Sequence, residues 1–356
     1  MDIKKLEQFL QENNLPKFRL GQIQKAIFAD GVSSFSEITT LSKELREKME
    51  EEMRILSFEV EKVLTAEDGQ SIKALLKTVG GDLIETVLIS PKPGTWSACI
   101  SCQVGCAMGC RFCATGKMGF KRNLTTEEIT DQVLFWRQYL KRNNIEGSFS
   151  NIVYMGMGEP FLNWDNVSES IKNLIDEKIF GFGSRSLSVS TSGIVEGIEK
   201  LAMEFPQVNL AISLHFASDK KRDLYMPVNK MDNLESLRNA LKQYFETTNR
   251  KIFLEYIMLD GINDTALDAK LLADYIYSIG NTHLLHVNLI RYNTITEKTE
   301  LNSESELSSE GIINSSSKTR TQLFKQELEK HRVNATIRKS LGEEIKAACG
   351  QLAGEK

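Results

Sequence analysis

Apolar residues recur at helical spacing near the start of the chain. Leu6, Phe9 and Leu10 form one stripe, and Ile23, Ile27 and Phe28 form another. Pro16 breaks the two patterns apart, so residues 1–55 read as helical. A short stretch of strand character follows at 74–76 and 83–89, and Pro91, Pro93 and Gly94 mark a turn. From residue 95 short apolar runs alternate with helical patterns. The strand candidates are 96–100, 152–155, 186–190, 208–214, 252–259, 286–290 and 334–337. Thr125-Thr126-Glu127-Glu128 resembles a helix capping box, with Ile129, Val133, Leu134 and Trp136 behind it. This βα rhythm predicts an α/β fold with a parallel sheet or barrel. Chemistry in such a fold sits on loops at the C-terminal ends of the strands. The pattern divides the chain into an accessory part, 1–90, helical with a short β stretch, and a core, 91–356. Residues 294–320 break the rhythm; they are rich in Ser, Thr, Asn and Glu, include Ser315-Ser316-Ser317, and read as a surface insertion.

Composition narrows the class. The chain has 356 residues, 41% of them apolar, which suits one large domain plus a smaller one. No run approaches the roughly 18 apolar residues of a membrane span. Charge enters at Asp2, Lys4 and Lys5, so there is no signal-peptide core, and a soluble, cytoplasmic protein is expected. A net charge of −4 does not advertise a nucleic-acid binder, but local basic patches decide that question.

The six cysteines stand at 99, 102, 106, 110, 113 and 349. Five of them crowd into the residues from 99 to 113. A disulfide scaffold does not suit a long cytosolic chain, so metal or redox chemistry is the better reading. Cys106, Cys110 and Cys113 supply three thiolates on one tight loop, and soft thiolates select iron–sulfur clusters or zinc. Gly105 and Gly109 let the backbone fold around a bulky inorganic core. Three ligands on a four-iron cluster leave one iron open. A structural zinc site wants four ligands, which here would require Cys102 or Cys99.

Other residues at strand ends attract attention. Met155-Gly156-Met157-Gly158-Glu159-Pro160 follows a strand candidate; its glycines admit a ligand to the backbone, and Glu159 suits an ammonium group. Ser190-Thr191-Ser192-Gly193 and Ser213-Leu214-His215 end the next two strands. Helix capping and a satisfied core histidine would account for them equally well. Cys349, among small residues in Ala347-Ala348-Cys349-Gly350, reads alone as a packing position. Glu85 reads alone as a charge on a strand. His283, His286 and His331 have no chemical context.

The segment from Cys99 through Cys113, continued by Ala-Thr-Gly-Lys-Met-Gly-Phe-Lys-Arg-Asn-Leu, resembles the radical S-adenosylmethionine (SAM) methyltransferases of the RlmN/Cfr family. The resemblance runs over nearly the whole chain. It implies a partial (βα)6 TIM-type radical SAM barrel with a small helical, RNA-contacting N-terminal domain. It also implies one 4Fe-4S cluster on Cys106, Cys110 and Cys113, with SAM on the open iron and two SAM molecules per turnover. Gly158, Glu159, Ser190, Ser213, Leu214, His215 and Asn293 then contact SAM. Adenine C2 and C8 are poor nucleophiles, so their methylation needs a radical route. By resemblance Cys349 accepts a methyl group and carries it to adenine as an S-methylcysteine intermediate. Cys99 resolves the adduct through a transient disulfide with Cys349, and Glu85 or Cys99 removes the ring proton. Cys102 stands where the family usually has Ser and is taken as a bystander.

The implied substrates are the peptidyl-transferase-centre adenosine of 23S rRNA and an anticodon-loop adenosine of tRNA. Electrons would come from flavodoxin or ferredoxin, and the enzyme would act as a monomer. Glu159 to Asn163 and Gly350 to Gly354 resemble the RlmN branch, which methylates C2. Arg291-Tyr292-Asn293 resembles the Cfr branch, which methylates C8 and confers antibiotic resistance. The basic stretches 117–122 and 220–222, with Lys17, Arg19, Arg338 and Lys339, are candidates for RNA phosphate contact. A zinc-loop RNA-binding module without catalysis is the reading of a different class, and a radical SAM enzyme acting on a small molecule or peptide is another.

Overall fold

A computed structural model describes residues 1–295 and 313–354. The first part is helical, with helices at Ile3–Glu12, Phe18–Gln24 and Lys43–Glu52. Leu6, Phe9, Leu10, Ile23, Ile27 and Phe28, the residues of the two apolar stripes, are all buried.

Twelve strands follow among the described residues. They are β1 (Phe58–Thr65), β2 (Ser71–Thr78), β3 (Leu83–Lys92), β4 (Thr95–Cys99), β5 (Gln103–Gly105), β6 (Phe120–Asn123), β7 (Ser148–Tyr154), β8 (Leu187–Thr191), β9 (Asn209–Ser213), β10 (Ile252–Met258), β11 (Leu285–Arg291) and β12 (Ala335–Ile337). Ten of them form one sheet in the order β1-β2-β3-β4-β7-β8-β9-β10-β11-β12. β1 to β4 pair antiparallel, and β4 and β7 through β12 pair parallel. Crossover helices connect most of the parallel strands, as an α/β barrel requires. The sheet runs without a break through residue 90, because β3 is bonded to β4 on its far side.

One helix fixes the geometry of the site's entrance. Thr126–Arg142 begins with the expected capping box, Thr125 bonding the Glu128 amide and Glu128 bonding back. Its apolar face carries the fully buried Trp136, whose burial contributes about 1.5–3 kcal/mol. The indole N–H donates to Thr86 Oγ1 at 3.0 Å. Four residues earlier, the Gln132 side chain bonds both the amide (2.8 Å) and the carbonyl (2.9 Å) of Ser101. The backbone just before the cysteine loop is therefore tied to a rigid helix.

The segment read as a surface insertion needs correction at its end. Residues 296–312 lie outside the described residues. Ser315 bridges Leu259, and Ser316 is fully buried with its hydroxyl on Asp264 Oδ2 at 2.7 Å. Ser317 caps the helix Lys318–Lys330. Ser316 and Ser317 are there because the turn meets a buried carboxylate and starts a helix. No helix among the described residues is long and apolar enough to cross a membrane.

Candidate active site

Because β4 and β7 to β12 run parallel, their C-terminal ends share one rim. Cys99 ends β4, Met155 to Glu159 follow β7, Ser190 and Ser192 close β8, Ser213 to His215 close β9, and Asn293 follows β11.

The cysteine loop is built by its own backbone. The hairpin β5–β6 holds its two ends, and the Cys106 amide bonds the Gly119 carbonyl at 3.0 Å. Gly105 has φ +72, and a Cβ there would stand 1.8 Å from the Gly119 oxygen. No other residue fits that crossing. The Cys113 amide bonds the Cys110 carbonyl at 3.1 Å, which turns the loop back on itself. Burial pushes the Cys106 thiol up to about 12 and the Cys110 thiol well above its ordinary value. The neighbouring thiols add to both shifts. Three soft thiol donors on one loop suit a cationic iron core. Among the described residues no three His, Cys, Asp or Glu groups converge as a single metal ion would need. A four-iron cluster asks for wider spacing, because each thiolate binds a different iron. Three cysteines on one loop supply the soft donors such a cluster needs.

The turn after β7 lies against the start of this loop. The Met157 carbonyl accepts the Cys102 and Gln103 amides at 2.9 and 3.2 Å. A Cβ at Gly158, φ +103, would reach 2.5 Å from Gln103. Glu159 is buried and accepts the Ser192 amide at 2.7 Å, the Ser192 hydroxyl at 2.8 Å and the Phe161 amide at 3.2 Å. Burial still holds its carboxyl above the usual range, because these donors are neutral. A buried carboxylate of this kind fits the ammonium of a SAM methionine moiety. The Ser190 and Ser213 hydroxyls are 3.4 Å apart. Leu214 is fully buried.

His215, at φ +55, accepts the Ile257 amide on Nδ1 at 3.1 Å. Burial, helped by the Arg222 charge, lowers its pKa to about 3, so the ring is neutral and carries its proton on Nε2.

The C-terminal segment closes the rim from the other side. Asn293 Nδ2 bonds the Cys349 carbonyl at 3.2 Å, and Gln351 Nε2 bonds the Thr294 carbonyl at 3.2 Å. The Ala114 amide bonds the Gly350 carbonyl at 2.8 Å, and Thr115 Oγ1 bonds the Leu352 carbonyl at 2.6 Å. These contacts bring Cys349 to the cysteine loop although more than 230 residues separate them in sequence. All six cysteines are free thiols. Solvent reaches Cys349, yet the protein around it raises its thiol, and the Arg338 guanidinium opposes that shift. Burial raises the Cys99 thiol as well, and Cys349 is near enough to raise it further. Glu85 is buried under the same segment. Cys102 is buried, with its sulfur 3.6 Å from the Met157 carbonyl.

Several basic residues are not where sequence reading put them. Arg222 is fully buried and donates to the carbonyls of Leu214 (2.6 Å), Ser213 (3.3 Å) and Ser192. It ties the loops after β8 and β9 together and is unavailable to phosphate. Lys221 bonds the Ile262 carbonyl at 2.6 Å and pairs with Asp268. Arg122 bridges Asp82 and Glu128 at 2.7 Å each. Arg338 faces Glu255 at 3.4 Å. Lys17, Lys117, Lys121, Lys220 and Lys339 remain exposed.

This fold and this cysteine loop define a radical SAM enzyme, and residues 100–271 match the radical SAM superfamily. Residues 1–55 match the ribosomal RNA large subunit methyltransferase N-terminal domain. The chain is 38% identical to the "Ribosomal RNA large subunit methyltransferase Cfr" of Clostridium botulinum (strain Okra / Type B1), covering 99% of this chain and 96% of that protein. The Lachnoclostridium phytofermentans protein of the same name is 39% identical, with 99% and 97% covered. The crystal structure of a radical SAM methyltransferase from Sphaerobacter thermophilus superposes with a TM-score of 0.89 at 36% identity, covering 100% of this chain and 98% of that one. The chain belongs to the RlmN/Cfr family of radical SAM ribosomal RNA methyltransferases. Membership brings a 4Fe-4S cluster and SAM as cofactors.

Proposed function

We propose that the protein methylates a ring carbon of adenosine in 23S rRNA, with C2 as the target and tRNA as a second substrate. One observation carries the reading: Cys349, distant in sequence, stands beside both Cys99 and the cysteine loop. Cys106, Cys110 and Cys113 would hold the cluster, and Glu159, Ser190, Ser213, Leu214, His215, Asn293 and the backbone at Gly158 would surround SAM. Bound there, the cluster and SAM supply a carbon-centred radical.

The protein's own residues do the rest. The Cys349 sulfur, whose anionic form Arg338 favours, takes up a methyl group as a nucleophile and presents that carbon to the adenine ring. Glu85 takes the proton from the ring carbon. With the methyl carbon joined to the ring carbon, at the cost of one hydrogen atom and one electron that the bound cofactors would take up, the Cys99 thiolate attacks the Cys349 sulfur. The sulfur–carbon bond breaks, its electron pair stays on the carbon, which takes a proton to become the methyl group, and a Cys99–Cys349 disulfide is left. A thiol reductant returns the pair to the free thiols seen in the structure. Reduced flavodoxin or ferredoxin is the expected electron source for the cluster.

Residues 159–163 and 350–354 support C2. C8 is the second reading, supported by Arg291-Tyr292-Asn293 and by the shared name of the relatives above. Mass spectrometry of 23S rRNA and tRNA nucleosides, from cells with and without the gene, decides between them. Gene-dependent 2-methyladenosine is the expected result, 8-methyladenosine selects the second reading, and neither product overturns both.

A further inference from the structure

β2 and β3 carry a charged pair in apolar surroundings. Their register sets Lys73 opposite Val87 and Leu75 opposite Glu85, so Lys73 and Glu85 meet on the diagonal. Lys73 Nζ lies 2.8 Å from Glu85 Oε1, with side chains only 10% and 3% exposed. Desolvation largely offsets the attraction of such a buried pair, so stability alone does not explain it.

Their remaining side-chain bonds go to one place. Lys73 Nζ donates to the Lys346 carbonyl at 3.2 Å. Glu85 Oε2 accepts the amides of Ala353 (2.8 Å) and Gly354 (3.2 Å). The pair thus grips both ends of the 346–354 segment that carries Cys349. Gly354 shows how closely this end is seated: at φ +63, a Cβ there would stand 2.8 Å from the Leu83 carbonyl.

We propose that Lys73 and Glu85 form a latch. Closed, it holds residues 346–354 against the cysteine loop and sets the position of Cys349. In that state three donors occupy the Glu85 carboxylate and the C-terminal segment covers it, so it is not free to take a proton from RNA. RNA entry lifts the end of the segment, the amides of residues 353 and 354 leave, and the carboxylate is released at the moment a base is needed. The timing of the base rests on the function proposed above, whereas the latch rests only on the contacts. Lys73 is a positioning residue, since it acts through Glu85 and the segment.

Hydrogen exchange on the full-length, cluster-reconstituted protein without RNA tests the closed latch. Lys73→Met is expected to speed exchange in peptides covering 346–354 about tenfold or more, with the helix 126–142 unchanged, and Lys73→Arg to restore protection. SAM-dependent methylation of Cys349, read by intact mass without RNA, should slow in Lys73→Met and recover in Lys73→Arg. Wild-type exchange at 346–354 in Lys73→Met overturns the latch. If that variant loses protection throughout β1 to β3, Gly354→Ala decides the matter in the same way, because it unseats the tail while leaving the ion pair intact. Protein-free 23S rRNA added to the wild type should deprotect residues 353 and 354; protection that persists in the RNA complex overturns the release step. Only this last arm involves RNA, so a wrong substrate assignment and a wrong latch give different results.

Discussion

Two pieces of the site are both irregular and both carry cysteines, yet they are held in different ways. The loop from Ser101 to Leu124 is closed by its own hairpin, by backbone bonds at Cys106 and Cys113, and by glycines whose positions exclude side chains. The segment from 339 to 354 has one short helical turn, Glu343–Ile345. Side chains or main-chain groups far away in sequence hold it: Lys73, Glu85, Ala114, Thr115 and Asn293. Each neutral bond of that kind contributes only about 1 kcal/mol net. The first piece is a permanent socket. The second, on the mechanism and latch proposed above, is a part that leaves and returns, so that Cys349 can meet both the cofactor and a base in RNA.

The largest expected effect comes from breaking each piece at its cysteine. Cys110→Ala should lose bound iron, SAM cleavage and RNA methylation together. Cys349→Ala should keep iron at the wild-type level and lose RNA methylation to background, because in the proposed mechanism nothing else carries the methyl group. Iron analysis, deoxyadenosine release and methylated-nucleoside counts measure the three. RNA methylation surviving in Cys349→Ala would remove that residue from its role.

An effect of middle size sharpens the contrast on the socket side. Arg222→Met keeps the volume but removes the donors that join the loops after β8 and β9. The carbonyls of Ser192 and Leu214 lose their partner, so unfolding free energy should fall by about 2–4 kcal/mol. Urea denaturation of the reconstituted protein measures it. A loss below about 1 kcal/mol would mean that the loops stand without this bridge.

These two pieces were unequally legible in the sequence. The cysteine spacing named the socket, and each of the seven parallel strands overlaps an apolar run, most clearly β8 to β11, because a strand buried on both faces writes itself as such a run. β1 escaped notice since its Glu59, Glu61 and Lys62 face solvent on an edge strand with a bulge after Val60. Charge misled at 220–222, because Lys220 and Arg222 look alike in sequence while one is exposed and the other fully buried. The latch was invisible because it needs the β2–β3 register and the path of the tail together. Its trace was Lys73 amid Ile72, Ala74, Leu75 and Leu76, a charge in an apolar run that calls for a partner.

The smallest expected effect concerns pH. Burial raises the Glu159 carboxyl, so the folded protein holds that proton to higher pH than the unfolded chain does. Between the ordinary carboxylate value and the raised one, the folded state binds more protons, and stability therefore falls as pH rises. Glu159→Gln removes this dependence. Without cluster or SAM, the variant should gain on the wild type as pH rises above the ordinary carboxylate value. With the cluster present, the same variant should bind SAM about tenfold or more weakly, since the ammonium loses its carboxylate. Thermal midpoints across pH and calorimetric titration with SAM read the two effects. A constant difference in stability at every pH would mean that the buried carboxylate is already compensated by the protein, and the socket would then have no charge waiting for a cationic ligand.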